Sequence, residues 1–109
     1  MRRRTALPLL LIPCLLGTAQ LYAEPPKELR SFIEKHCVDC HDADDAKGGL
    51  DFGKLPSDLN RPETLAKWVH IFDRVDQGEM PPKKKARPEA SEKAKFTKTL
   101  ATSLATADQ

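Results

Sequence analysis

The chain has 109 residues, with 18 Lys and Arg against 16 Asp and Glu and only 6% aromatic residues. This length is enough for one small domain, and the scarcity of aromatic residues predicts a thin hydrophobic core. A domain of this kind commonly needs a disulfide, a metal or a large buried cofactor for stability. The formal charge of +2 does not indicate a nucleic-acid partner, because it comes from the first few residues.

The N-terminal stretch has the order of parts of a secretory signal peptide. Residues 2–4 are arginines, residues 7–17 are mainly apolar, and small residues then lead to Ala23. We therefore predict a signal peptide over residues 1–23, cleaved after Ala23, and one domain over residues 24–109. The apolar run is too short to cross a bilayer, so no stable membrane span is expected after cleavage. Cleavage removes three arginines and no acid, which leaves 15 basic against 16 acidic side chains and a formal charge of −1.

Three helices and long loops are predicted in the rest of the chain. The first helix runs into Cys37, and its helical spacing is carried by Leu29, Phe32, Ile33 and His36. Residues 42–60 are rich in Asp, contain glycines and show no sustained period, which predicts a loop. A second helix is predicted over residues 62–77, because Pro62 suits a first turn and Gly78 a stop. Its expected apolar stripe consists of Leu65, Trp68, Val69, Phe72 and Val75.

The third helix is predicted to open at Pro88, which again suits a first helical turn. Phe96, Leu100 and Leu104 follow at intervals of four residues and form a narrow stripe that needs a packing partner. Strand-like alternation does not occur in the sequence. The predicted fold class is therefore all-α.

A short motif carries the chemistry. Cys37 and Cys40, the two cysteines left after the predicted cleavage, are followed directly by His41. This C-x-x-C-H pattern is typical of c-type haem attachment: two thiols one helical turn apart bond the haem vinyl groups, and the histidine binds the iron. Three other interpretations are a disulfide, a redox-active dithiol and a structural zinc. Thioredoxin-like dithiols stand next to a βαβ pattern that this sequence lacks, and a structural zinc needs four ligands.

Met80 is the predicted second ligand of the iron. It is the single methionine of the predicted mature chain, 39 residues after His41, and two prolines stiffen the backbone behind it. The rival reading is a methionine that only packs in a loop. His70 is expected to be a surface residue, and His36 to pack at the haem edge on the proximal side. Lysines following Met80 are expected to replace it at high pH: Lys83, Lys84 and Lys85.

Apolar residues elsewhere have two readings, haem packing or helix–helix core. Phe32 is expected to cross Phe96 or Leu100 near one haem edge. Trp68 and Phe72 are expected to line the haem pocket, with the Trp68 indole N–H reaching a haem propionate. The acceptor for the His41 imidazole N–H is expected among the backbone carbonyls of residues 48–56.

Five segments, taken in chain order, are similar to the planctomycete-type cytochrome c domain. They are residues 32–41 (FIEKHCVDCH), 47–51 (KGGLD), 68–69 (WV), 74–75 (RV) and 78–82 (GEMPP).

The resemblance covers nearly all of residues 27–100. It implies a small class I-like cytochrome c fold around one covalently bound haem c, with iron ligands His41 and Met80 and attachment through Cys37 and Cys40. Such domains commonly precede further domains in longer exported proteins, so the chain is expected to be a free-standing carrier or a shortened form of a longer protein.

The expected function is that of a monohaem cytochrome carrying single electrons in the periplasm or another exported compartment. No catalytic residue is assigned, because two filled axial positions leave no place for a substrate at the iron. Redox proteins are the expected partners, and a larger exported protein is one candidate among them. One alternative is a haem enzyme or gas or redox sensor with an open distal position, and another is a binding module without haem.

Overall fold

The computed structural model describes residues 25–108, and the predicted signal peptide lies outside these residues. Three helices follow one another along the chain: α1 (Lys27–His36), α2 (Pro62–Asp76) and α3 (Ala90–Ala107). A short 3₁₀ turn at Lys47–Gly49 interrupts the long loop between α1 and α2. Strands do not occur among the described residues. The predicted all-α class is thus confirmed, with each helix near its expected place.

Helix α1 begins after Pro26 and carries Glu28 in its first turn and Lys35 and His36 in its last. This distribution places negative charge at the positive end of the helix dipole and positive charge at the negative end. Its buried side chains are the predicted ones, Leu29, Phe32 and Ile33. The apolar face of α1 was therefore readable from residue spacing alone.

Helix α2 has the predicted boundaries but a rotated buried face. Pro62 occupies its first turn, and Gly78 follows its end at φ 76°, in the left-handed region that favours glycine. Its buried residues are Thr64, Trp68, Ile71 and Val75. The predicted stripe was wrong at Val69, which is 40% exposed. The apolar residues of α2 extend round most of the helix, so their spacing did not identify the face that packs.

Helix α3 packs against both α1 and α2. It begins at Ala90, and Pro88 precedes its N-cap residue Glu89 rather than opening the helix as predicted. Phe96 and Leu100 are almost fully buried, and the rings of Phe32 and Phe96 stack with centroids 4.3 Å apart. The narrow stripe of α3 thus forms the centre of the core, and α1 and α2 are held in place through it.

Candidate cofactor site

The residues of the C-x-x-C-H motif form a tight turn at the end of α1. The Cys37 N–H donates to the Ile33 carbonyl at 2.9 Å, which continues the helical pattern by one residue. The N–H groups of Cys40 and His41 then both donate to the Cys37 carbonyl, at 3.2 Å and 3.1 Å. These bonds fix the relative positions of the two thiols and the imidazole, and all three side chains line one cavity.

This cavity has a volume of about 460 Å³, which is within the range of cofactor sites. The motif turn, the loop at residues 47–52, the second half of α2 and the segment after Met80 form its walls. Apolar side chains dominate the lining, including Leu50, Phe52, Ile71 and Val75. A second cavity of similar size adjoins it and shares Gly48, Leu50, His70 and Ile71.

Both motif cysteines are free thiols within the described part of the chain. Burial raises the pKa of Cys37 from 9.0 to about 12, so the neutral thiol is its stable form at physiological pH. Redox-active dithiols work through a thiolate whose pKa is depressed. The environment of Cys37 therefore opposes the dithiol reading.

The His41 ring is oriented mainly by packing. The His41 and Phe52 rings are nearly perpendicular with centroids 6.1 Å apart, and the His41 backbone carbonyl accepts the Phe52 N–H at 2.9 Å. The buried Nδ1 atom has no hydrogen-bond partner among the described residues. The predicted acceptor within residues 48–56 is thus absent, because that loop approaches the His41 backbone instead. Two free thiols and an imidazole side chain in the wall of one cavity fit a site completed by a bound group.

Met80 lines the same cavity although it is distant from His41 in sequence. The left-handed Gly78 turns the chain back at the end of α2, and the N–H groups of Glu79 and Met80 both donate to the Arg74 carbonyl, at 2.9 Å and 3.0 Å. Pro81 behind Met80 is buried. The structure thus brings together all four predicted site residues, and their roles toward haem stay a prediction.

The two other histidines of the described chain also line the cavity. His70 is exposed, as predicted, but its position in both cavity walls was not predicted. Its Nε2 atom accepts a hydrogen bond from Arg74 Nε at 3.4 Å. His36 packs on Phe32 with ring centroids 4.8 Å apart and lies in the wall beside Cys37, where it was expected. His70 and Arg74 lie four residues apart on one face of α2, and both line the cavity.

The aromatic residues divide clearly between core and cavity. The Trp68 indole N–H donates to the Pro56 carbonyl at 2.8 Å, so its predicted contact with a propionate was wrong. Among the described residues, Trp68 and Phe72 are not part of the cavity lining, and neither are Phe32, Phe96 and Leu100. Phe32 does cross Phe96 as expected, but in the helix–helix core.

The side chains of residues 25–108 do not gather three or more His, Cys, Asp or Glu groups in a metal-binding arrangement, so the zinc reading gains no support. In the same part of the chain, every helix is too short or too polar to cross a bilayer.

A small helical fold with a C-x-x-C-H turn and a methionine in one apolar cavity is typical of a c-type cytochrome. The family model described as Planctomycete cytochrome C matches residues 37–84, which include the motif, α2 and Met80. Over these residues the chain is similar to that family, and the match confirms the resemblance seen in the sequence. Searches of curated proteins and of solved structures gave no match. Cytochrome c domains carry covalently bound haem, are generally electron carriers and are typically exported.

Proposed function

We propose that this protein is a monohaem c-type cytochrome that carries single electrons in an exported compartment. Cys37 and Cys40 attach the haem, His41 is the proximal iron ligand and Met80 is the distal one. The observation that supports this assignment is the shared cavity: both free thiols, the imidazole and the thioether line one apolar space, although Met80 comes from a different segment.

Each thiol has a defined chemical part in attachment. The S–H of Cys37 adds across one vinyl group and that of Cys40 across the other: the sulfur bonds to one vinyl carbon and the hydrogen to its neighbour. No atom leaves, so the product has the summed mass of chain and haem. Burial of Cys37, which keeps the thiol protonated, is compatible with a permanent thioether and unsuited to a reversible disulfide.

The remaining residues of the site control the environment of the iron. Bound haem supplies an iron that alternates between two oxidation states one electron apart. Phe52 holds the His41 ring from its edge. Ile71 and Val75 exclude water from the α2 side of the cavity, which favours the less charged, reduced state. With His41 and Met80 both bound, the chain performs electron transfer without binding a substrate at iron.

Intact mass and absorption spectroscopy test the proposal directly. The protein is produced with its leader in a host able to attach haem, and the exported form is purified. We expect the mass of residues 24–109 plus one haem, retained under denaturing conditions, and a low-spin ferric spectrum with the weak far-red band of a Met–iron bond. Voltammetry is expected to show one reversible one-electron wave.

A matched variant and two opposing outcomes complete the test. Replacing both cysteines, Cys37→Ser with Cys40→Ser, is expected to remove the haem under denaturing conditions. A wild-type mass equal to that of the bare chain contradicts the proposal. A high-spin spectrum that shifts with CO or peroxide instead supports the alternative of a haem enzyme or sensor with an open distal position.

A further inference from the structure

The segment after Met80 has an unusual shortage of backbone donors. Pro81 and Pro82 lack N–H groups, so this stretch offers only carbonyl oxygens for attachment to the rest of the protein. On its N-terminal side the chain is well held, because the Arg74 carbonyl accepts the N–H groups of Glu79 and Met80. On the C-terminal side, any stabilising contact to the proline carbonyls requires a donor from a side chain or from more distant backbone.

Arg87 supplies that donor. Its Nη2 atom donates to the Pro81 carbonyl and, at 3.1 Å, to the Pro82 carbonyl. The Lys85 N–H also donates to the Pro82 carbonyl, at 2.9 Å. Pro81 itself is buried, so the guanidinium reaches the carbonyl of a residue that is packed against the protein. A planar guanidinium with several N–H groups suits two neighbouring carbonyls better than an ammonium group does.

The position of Arg87 connects these carbonyls to the core. It lies three residues before the start of α3 at Ala90, and the Phe96 and Leu100 side chains of α3 are almost fully buried. The guanidinium thus joins the Met80 segment to the helix around which the domain packs. Arg74 and Arg87 hold the segment from opposite ends, one through its carbonyl and the other through its side chain.

We infer that Arg87 is a positioning residue that keeps the Met80 thioether on the haem iron. This inference rests on the proposed ligation by Met80. A thioether is a neutral, weakly bound ligand, so the population with Met80 detached depends on how firmly its segment is held. Loss of the Arg87 hydrogen bonds raises that population, and an external ligand then takes the vacant position more readily.

Competition with free imidazole tests this inference on the ferric holoprotein. In Arg87→Met the affinity for imidazole is expected to rise roughly tenfold, because a hydrogen bond from a charged donor is lost. The far-red band should disappear at correspondingly lower imidazole concentration. Arg87→Lys keeps a donor and a charge and is expected to lie between wild type and Arg87→Met. Should Arg87→Met not yield holoprotein, the comparison of Arg87→Lys with wild type carries the test.

Lys84→Met is the matched control, because it removes one positive charge from the same segment and Lys84 is exposed. All measurements are made well below the melting temperature of each variant, where a general loss of stability does not change ligand affinity. Equal imidazole affinity in Arg87→Met and Lys84→Met, with the far-red band present in wild type, overturns the role of Arg87 and leaves Met80 ligation intact. Absence of the band in wild type rejects both.

Discussion

The Nε2 atom of His36 lies 3.1 Å from Glu92 Oε2, where α1 meets α3 beside the cofactor cavity. The other carboxylate oxygen of Glu92 accepts a hydrogen bond from Lys35 Nζ at 2.8 Å. One carboxylate on α3 therefore contacts the last two residues of α1, and those residues lead directly into Cys37. The contact joins α3 to the end of α1, next to the C-x-x-C-H motif.

The first prediction concerns acid stability. The hydrogen bond from Lys35, with a further one from His36, lowers the pKa of Glu92 from 4.5. A carboxyl group with a depressed folded pKa stabilises the fold above its unfolded pKa, and this contribution disappears as pH falls through the folded value. In urea unfolding, the free energy of unfolding of the Glu92→Gln holoprotein should therefore be lower than that of wild type at pH 7. The two values should converge as the pH falls below about 4.5. The effect at pH 7 should be small and salt-dependent, because Glu92 is solvent-accessible. If the difference in the free energy of unfolding stays constant down to acid pH, the ionised Glu92 carboxylate is not its cause.

The second prediction concerns the core. Phe96 is fully buried and stacks on Phe32, so Phe96→Ala is expected to destabilise the holoprotein by about 3–5 kcal/mol in urea unfolding. Val69→Ala is the control, since Val69 is 40% exposed and its truncation is expected to cost less than about 0.5 kcal/mol. Similar decreases in the free energy of unfolding of the two variants contradict the packing of α3 described above.

The sequence predicted correctly the features that are determined by residues close together in the chain. Pro62 and Gly78 marked the ends of α2 because each acts through its own backbone conformation. The spacing of Leu29, Phe32 and Ile33 gave the buried face of α1 because that helix has one clear apolar side. The C-x-x-C-H motif is likewise local, because the hydrogen bonds donated by its backbone N–H groups reach back no more than five residues.

Features that depend on packing between helices and loops distant in the sequence could not be predicted in this way. Helix α2 carries apolar residues on several sides, and only the folded structure shows that Ile71 is buried and Val69 is exposed. His70 shares a helix face with Arg74, four residues later, and both line the cavity. The contact of Arg87 with the proline carbonyls depends on a loop path that no residue spacing encodes.

The third prediction separates the two candidate distal residues in the cavity wall. Met80 and His70 both line the cavity, but His70 is exposed and contacts Arg74. Met80→Ala is therefore expected to abolish the far-red band and to make the ferric iron bind imidazole at least about tenfold more tightly, since the competing thioether is gone. His70→Ala is expected to leave the band and the imidazole affinity unchanged. Loss of the low-spin spectrum in His70→Ala but not in Met80→Ala assigns the distal position to the histidine instead.

The fourth prediction narrows the expected ligand exchange at high pH. The three lysines after Met80 are all exposed, but only Lys85 among them lines the cavity in the described chain. A deprotonated amine is a good ligand for ferric iron, and Lys85 already lies in the wall of the site. In Lys85→Ala the alkaline loss of the far-red band is therefore expected to require a higher pH than in wild type, by about one unit, which is a tenfold change in equilibrium.

Single substitutions of the other two lysines provide the comparison. Lys83→Ala and Lys84→Ala remove the same charge from the same segment, so any general electrostatic effect on the transition appears in all three variants. The specific role of Lys85 is measured as the difference between its titration midpoint and theirs. Three coincident midpoints contradict that role, because the exchange then depends on a different ligand, such as hydroxide, or on any lysine that the opened segment brings to the iron.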